Sequence, residues 1–392
     1  MKLSFLLFVI PFLGLIAGVS VAIFKAGVAF GIIRSPLAKQ VMTWVFILMP
    51  IVLLVTMAIG NFIFSSLNNV FYLISVTWLP ILIYLFMGAI LLAIIKLIAV
   101  STGNSTINMF PMGIAVIAIT AIATGYGIIN ATMPRVVTYE VNSPELREKW
   151  AGKNIVLVSD THLGVVRSGS FMKKVVSKIN EQKPDIVLMA GDIIDGPVFD
   201  YEKGLAPLKD IVSTFGTVYT PGNHESYNRE PEKFYPIIRN VTTTLLDSTA
   251  EINGTIFVGM DYRSESFEST KERLAKTGFM ANNNGKNARN DGSPALPSIA
   301  ILHDPTNTNA LLDAGITFVV SGHTHCGQFF PINLLVKRIY KENTYGVVDR
   351  TLNADGTASN KTGVSLTTCG VGTAMSPLRL GTNPEIVVIH IK

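Results

Sequence analysis

Ser321-Gly322-His323-Thr324-His325 decides how this chain is read, because it closes a series of metal-ligand residue types that begins far upstream. The earlier members are Asp160-Thr161-His162, Gly191-Asp192-Ile193-Ile194-Asp195, Gly222-Asn223-His224-Glu225 and His303-Asp304. Each follows a β-branched or aliphatic run that reads as a buried strand: Ile155 to Val158, Ile186 to Met189, Thr217 to Tyr219, Ile299 to Leu302 and Ile316 to Val320. In α/β folds, strand ends are where site residues gather. Singly, each motif has an ordinary explanation. D-x-H serves as a turn or helix cap, G-N-H-E as a turn needing left-handed angles, and His323 with His325 as two same-face strand residues. Five of them, each behind a strand pattern, are not explained that way. Five of the six histidines fall in these motifs, and the sixth, His390, reads as a face or edge residue of a terminal strand from Val387 to Ile391.

The residue types suit one kind of chemistry. Two divalent cations about 3.5 to 4 Å apart can clamp both the attacking and the leaving oxygen of a phosphoryl displacement, which requires a bridging ligand such as a carboxylate. Imidazoles and carboxylates with an Asn carbonyl make mixed nitrogen and oxygen shells, which suit Mn, Fe or Zn better than Ca.

The order D-x-H, G-D-x-x-D, G-N-H-E, H-D, G-H-T-H resembles the calcineurin-like metallophosphoesterase superfamily, roughly from Asn154 to the C-terminus. The tail segments Gly370-Val371-Gly372-Thr373, Pro377-Leu378-Arg379 and Pro384-Glu385-Ile386 resemble the ending of membrane-anchored YkuE-like phosphoesterases. The resemblance implies a four-layer α/β sandwich, two mixed sheets flanked by helices. It implies one cation on Asp160, His162, Asp192 and His325, and a second on Asp192 as bridge with Asn223, His303 and His323. His224 matches the histidine that hydrogen-bonds the phosphoryl group and protonates the leaving oxygen, with Asp195 as its orienting partner. Arg379 has two readings, a contact to substrate phosphate or a structural ion pair. The reaction implied is in-line attack by metal-bound hydroxide, and the YkuE-like tail points to lipid-linked phosphodiester or pyrophosphate substrates.

The first 130 residues contain no Asp or Glu, and their charged side chains are Lys2, Lys25, Arg34, Lys39 and Lys96. The rest of the chain is balanced, so the net charge of +5 belongs to this front part. A high isoelectric point of that origin does not point to nucleic acid. Four apolar runs, roughly Ser4 to Phe24, Val41 to Phe64, Val70 to Ile95 and Met109 to Ile129, are long enough to cross a bilayer. This is an all-α bundle of four transmembrane helices, expected in the plasma membrane. A competing reading makes the first run a signal peptide cleaved after Ser20-Val21-Ala22. With four spans, the basic residues of loops one and three place those loops inside and the catalytic domain outside.

The expected organisation is a transmembrane region over 1–130, a connector and first strand over 131–153, and a catalytic domain over 154–392. Helices are expected near Ser170 to Gln182, Tyr201 to Thr214, Pro231 to Arg239 and Glu268 to Lys276. The Asn- and Gly-rich stretch Ala281 to Pro297 reads as a surface loop. Between Gln328 and Gly363 the pattern lapses. Phe329, Phe330, Leu334, Leu335, Ile339 and Tyr340 are there interleaved with Lys337, Arg338 and Lys341. The preferred reading is a loop packed on the sheet edge, and the other is a segment dipping towards the membrane. Cys326 follows His325, and the resemblance places Cys369 near the same site; two separate buried thiols or a disulfide are both open, the former being the plainer. Rival functions are a non-catalytic metal-bound sensor, which needs no complete ligand set, and a transporter, which normally shows ionisable residues within the membrane.

Overall fold

Four helices open the chain: α1 (Leu3–Ala29), α2 (Pro36–Gly60), α3 (Ser66–Ser101) and α4 (Phe110–Asn130). The computed structural model describes residues 3–60, 66–104, 106–195, 200–228, 230–262, 267–279, 296–351 and 363–392. All four helices are long and apolar enough to cross a membrane. Pro11, Pro50 and Pro80 lie inside α1, α2 and α3, which is tolerated where neighbouring helices satisfy the freed backbone groups. Ile16, Phe46 and Leu82 bury together, with the Trp78 ring 5.5 Å from that of Phe46. The third helix continues through Lys96 to Ser101, so Lys96 sits on its last turns instead of opening a loop. Part of the expected second span and of the loop after it, residues 61–65, lies outside the described residues. Met1–Ile128 with Met375–Pro377 make one compact unit, and Ile129–Ala374 with Leu378–Lys392 make a second.

The second unit starts with β1 (Arg135–Val141), α5 (Pro144–Trp150), β2 (Ile155–Val158), α6 (Gly169–Glu181), β3 (Ile186–Ala190), α7 (Tyr201–Leu205) and β4 (Thr217–Thr220). It continues through α8 (Asn223–Ser226), α9 (Pro231–Arg239), β5 (Thr243–Thr244), β6 (Ser248–Ile252), β7 (Thr255–Met260) and α10 (Phe267–Lys276). The last elements are β8 (Ser298–Leu302), α11 (Thr308–Asp313), β9 (Phe318–Ser321), α12 (Ile332–Tyr340), β10 (Gly346–Asp349), β11 (Val364–Thr367) and β12 (Glu385–Ile391).

Two six-stranded mixed sheets result, ordered β1-β12-β2-β3-β4-β5 and β10-β11-β9-β8-β7-β6. Strand alternation builds the layers. In β2, Ile155 and Leu157 join Leu188, Phe257, Ile301 and Val320 in the core between the sheets. Val156 and Val158, pointing the other way, pack with Met172, Val175 and Ile179 of α6 and Phe234 and Ile238 of α9. On the far side, Val258, Ala300 and Val319 pack with Leu274 of α10 and Leu311 of α11. Strands buried on both faces must be apolar throughout, which is why they read as continuous runs. β2, β3 and β4 are mutually parallel, as are β7, β8 and β9, so within each set the carboxyl ends share one edge.

Several expectations need adjustment. The helix expected to reach Thr214 ends at Leu205 and tightens into a 3-10 turn over Ala206–Asp210, where Pro207 supplies no backbone N–H. Residues 135–150 pack into the domain: β1 pairs along its length with β12, and Leu146 and Trp150 are fully buried. The segment read as a loop on the sheet edge forms α12 instead. Its apolar residues recur at helical spacing, Ile332, Leu335, Val336, Ile339 and Tyr340, yet none of its residues is buried. The expected loop over 281–297 lies, but for its last two residues, outside the described residues.

Candidate metal centre

Every motif residue leaves its strand at a carboxyl end: Asp160 and His162 after β2, Asp192 and Asp195 after β3, Asn223 and His224 after β4, His303 after β8, and His323 and His325 after β9. The backbone there is held in an unusual state. Asp160, His162, Asp192, His323 and His325 all adopt positive φ, between 46° and 69°. Left-handed conformations are uncommon for such residues and persist where surrounding structure enforces them, typically at functional sites. Glycines make room for them. A Cβ at Gly322 would collide with Ser159 and Asp160, and one at Gly222 with Asp192.

The side chains converge in three overlapping groups, Asp160 with His162 and His325, His162 with Asp192 and His224, and Asp192 with His303 and His323; in each, the donor atoms lie within 4.8 Å of one another. Asp192 is shared. Its Oδ2 stands 3.1 Å from His303 Nε2 and 3.6 Å from His162 Nε2. Asn223 Oδ1 lies 3.1 Å and His323 Nδ1 3.2 Å from His303 Nε2, while His162 Nε2 and His325 Nε2 are 3.0 Å apart. Asp160, His162, Asp192 and His303 are almost fully buried, whereas His224 and His323 each keep 23% of their side chains exposed and form the open side. Tyr227, Tyr262 and Tyr340 edge that side, with ring centroids 5.9 Å from His224 (Tyr227) and 6.2 and 6.1 Å from His323 (Tyr262 and Tyr340).

Outer hydrogen bonds aim the rings. His303 Nδ1 donates to the Ala190 carbonyl at 2.6 Å, which leaves Nε2 turned to Asp192 and Asn223. Asp195 Oδ1 receives both His224 Nδ1 at 2.9 Å and His162 Nδ1 at 3.3 Å. Burial alone would push the His224 imidazole down, but the Asp195 hydrogen bond and the Asp192 charge prevail and carry it up to about 9. Burial likewise opposes charge on His303, and Asp192 overrides it, raising the ring to about 10. Burial would raise Asp192 and Asp195, yet the surrounding imidazoles hold both well below the usual carboxylate range. His325 is driven down, by burial first and then by the proximity of His162 and Arg379.

Two organising residues carried no role on sequence grounds or a different one. Glu225 is buried, and its carboxylate accepts the backbone N–H groups of Asp192 (2.9 Å), Ile193 (2.7 Å), Ile194 (3.1 Å) and Gly222 (2.7 Å), locking the β3 and β4 loops together. The N-H-E spacing was the only available signal. Arg379 is fully buried and donates to the carbonyls of Cys369, Gly370 and Gly372, with Nη2 3.1 Å from His325 Nδ1. It is buried behind His325, the supporting position behind a candidate ligand that was its other reading besides a substrate contact, and its further partners are carbonyls. The two-thiol reading is also corrected: Cys326 and Cys369 are disulfide-bonded, with Cα atoms 5.0 Å apart. The left-handed turn at His325 and Cys326 swings Cys326 against the end of β11. His390 is exposed on β12, 3.1 Å from Asn154 Oδ1.

The donor set fits a pair of divalent cations. It offers imidazole nitrogens, carboxylates and an amide carbonyl converging on a shared Asp192, buried where carboxylates and imidazoles are normally paired or ligating. Comparison with known proteins agrees in kind. Residues 153–327 match the family described as calcineurin-like phosphoesterase. A Danio rerio transmembrane protein with metallophosphoesterase domain is 27% identical over 307 residues, covering 75% of this chain and 64% of the relative. A Helicobacter pylori metallophosphoesterase is 31% identical over 186 residues, 47% of each chain. Bacillus subtilis YkuE is 27% identical over 288 residues, 68% of this chain and 90% of that protein. The chain thus spans less than two thirds of the length of the first two. With its ligand-type residues gathered at the carboxyl ends of strands from both sheets, the segment 153–327 matches the calcineurin-like phosphoesterase family and follows four membrane-length apolar helices in the chain.

Proposed function

We propose that the chain is a phosphoester hydrolase with two divalent cations, Mn, Fe or Zn, one held by Asp160, His162, Asp192 and His325 and the other by Asp192, Asn223, His303 and His323. The observation that carries this reading is the position of Asp192, whose one carboxylate lies within reach of both halves of the donor set. Bound cations would supply positive charge for a displacement at phosphorus and lower the pKa of water. The chain's own share falls to His224. With Nδ1 held by Asp195, whose hydrogen bond favours the protonated ring, it faces the open side, suited to donate to a phosphoryl or leaving oxygen. Asp195 positions the ring, and Glu225 positions the loops that carry Asp192 and Asn223.

Phosphodiesters or pyrophosphates, lipid-linked or close to the membrane, are the proposed substrates, because the domain leaves the last apolar helix after only four residues, 131–134. The proposed location is the plasma membrane with the domain on the extracytoplasmic side. The disulfide supports that side, since disulfides persist in oxidising compartments. Hydrolysis of bis(p-nitrophenyl) phosphate by the purified full chain, with Mn, Fe or Zn added in turn, tests the reading. Metal-dependent turnover is expected. No turnover with any of the three, in protein shown to bind them, would leave the sensor reading in its place.

A further inference from the structure

The helix α12 begins soon after the candidate ligand loop and presents apolar side chains to solvent. Leu334, Leu335 and Ile339 are 58%, 55% and 59% exposed, and Phe330, just before the helix, is 41% exposed. Within the same stretch Lys337, Arg338 and Lys341 are exposed, against a single acid, Glu342. A helix with leucines and isoleucine on its open side, bordered by basic residues whose long stems can carry their charge upward, has the make-up of an element lying in the plane of a bilayer surface.

Its place in the fold says which surface. Asn130, the last residue of α4, belongs to the same compact unit as α12, and its side chain donates to the carbonyls of Arg379 (3.2 Å) and Thr382 (3.0 Å). The residues leading into α12 hold that same turn: Phe330 N–H donates to Leu380 at 2.9 Å, and Leu380 N–H to Gln328 at 3.2 Å. The point where the chain emerges from its membrane-length helix and the root of α12 are thus tied to one short segment. At the other end of α12, the Tyr340 ring lies 6.1 Å from His323. Nine residues of helix extend about 14 Å, so the exposed apolar residues and the open side of the candidate site are within a lipid headgroup's reach of each other.

We infer that α12 is an interfacial helix that docks on an anionic bilayer, with Leu334, Leu335 and Ile339 entering the headgroup boundary and Lys337, Arg338 and Lys341 pairing with lipid phosphates, so that the rim of the site sits at headgroup level. Docking itself stands on the helix. Only its use, bringing a phosphoester on a membrane lipid to the site, rests on the proposed function.

The test is amide hydrogen exchange on the full chain in nanodiscs of phosphatidylcholine, with and without phosphatidylglycerol. The amides of 332–340 are expected to exchange about tenfold more slowly in the anionic discs, through attraction of the basic residues to the anionic surface. High salt should remove most of the difference, as should the variant Lys337→Glu, Arg338→Glu, Lys341→Glu; Leu335→Asp with Ile339→Asp should remove it altogether. None of these residues is placed in the catalytic machinery, so hydrolysis of soluble bis(p-nitrophenyl) phosphate should be unchanged and confirms that each variant is folded. Equal exchange in the two discs would overturn the inference, as would anionic protection that survives both sets of substitutions. Protection without any phosphodiester hydrolysis would retain the docking surface and count against the proposed function alone.

Discussion

His224 Nε2 lies 4.0 Å from Asp192 Oδ2, and its backbone N–H donates to Asp192 Oδ1 at 2.9 Å, yet the proposed roles separate the two residues. Asp192→Asn removes the charge that both cations would share. Activity is expected to fall by about three orders of magnitude or more, with metal content measured by elemental analysis falling alongside. Wild-type turnover with two bound metals would show the ligand assignment wrong. His224→Ala removes a donor to substrate. It should cost roughly a hundredfold in rate at unchanged metal stoichiometry, and loss of metal in this variant would make His224 a ligand. The residues that converge were legible in the chain because ligand chemistry limits the usable side chains and each followed a recognisable strand. Glu225 was not legible as an organiser. Its function is to accept N–H groups from a loop some 30 residues away, and nothing in local spacing reports which backbone groups a carboxylate will face. Arg379 shows the same limit, since an arginine beside a Gly-rich tail is as compatible with phosphate as with carbonyls until its burial is known.

Between elements, the disulfide joins the turn after His325 to the end of β11 across a separation of 43 residues. Thiol titration of denatured, unreduced protein should find no free thiol, and two free thiols would contradict the pairing. The Cys326→Ser, Cys369→Ser double variant is expected to lose about 2 to 4 kcal/mol of stability in denaturant unfolding of the catalytic unit. Because Cys326 directly follows His325, it should also bind metal more weakly. An unchanged unfolding midpoint and metal affinity would assign the bond no structural part. Strands were easier to place than the segments between them: burial on both faces demands unbroken apolar runs, so β2 falls on Ile155–Val158 as read. Helix ends depend on weaker forces, and the helix expected to reach Thr214 stops at Leu205 where Pro207 follows. In α12 the helical period was present in the chain, but the basic residues interleaved with it led to the loop reading.

For the whole molecule, the distribution of charge gives the sharpest prediction. Lys25, Arg34 and Lys39 cluster around the first connection and Lys96 lies near the third, from which both connections are expected in the cytoplasm and the second unit outside. Protease added to intact spheroplasts should therefore degrade the catalytic unit, and protection until lysis would overturn this topology. Cleavage after Ala22 would leave three spans and a cytoplasmic domain, a compartment in which the Cys326–Cys369 bond would not persist. What the amino-acid order determined by itself was whatever depends on composition and period: four membrane-length apolar helices, α/β alternation, and a ligand set in strand-end positions. Tertiary structure decided which ends meet. Parallel pairing of β2 with β3 and of β3 with β4 in one sheet, and of β8 with β9 in the other, lines up the carboxyl ends from which residues far apart in the chain converge. There Asp192 is shared between two donor groups, Glu225 ties two loops, and the cysteines come within bonding distance. Those are long-range contacts, fixed by how two sheets pack over a common core, and no local pattern encodes them.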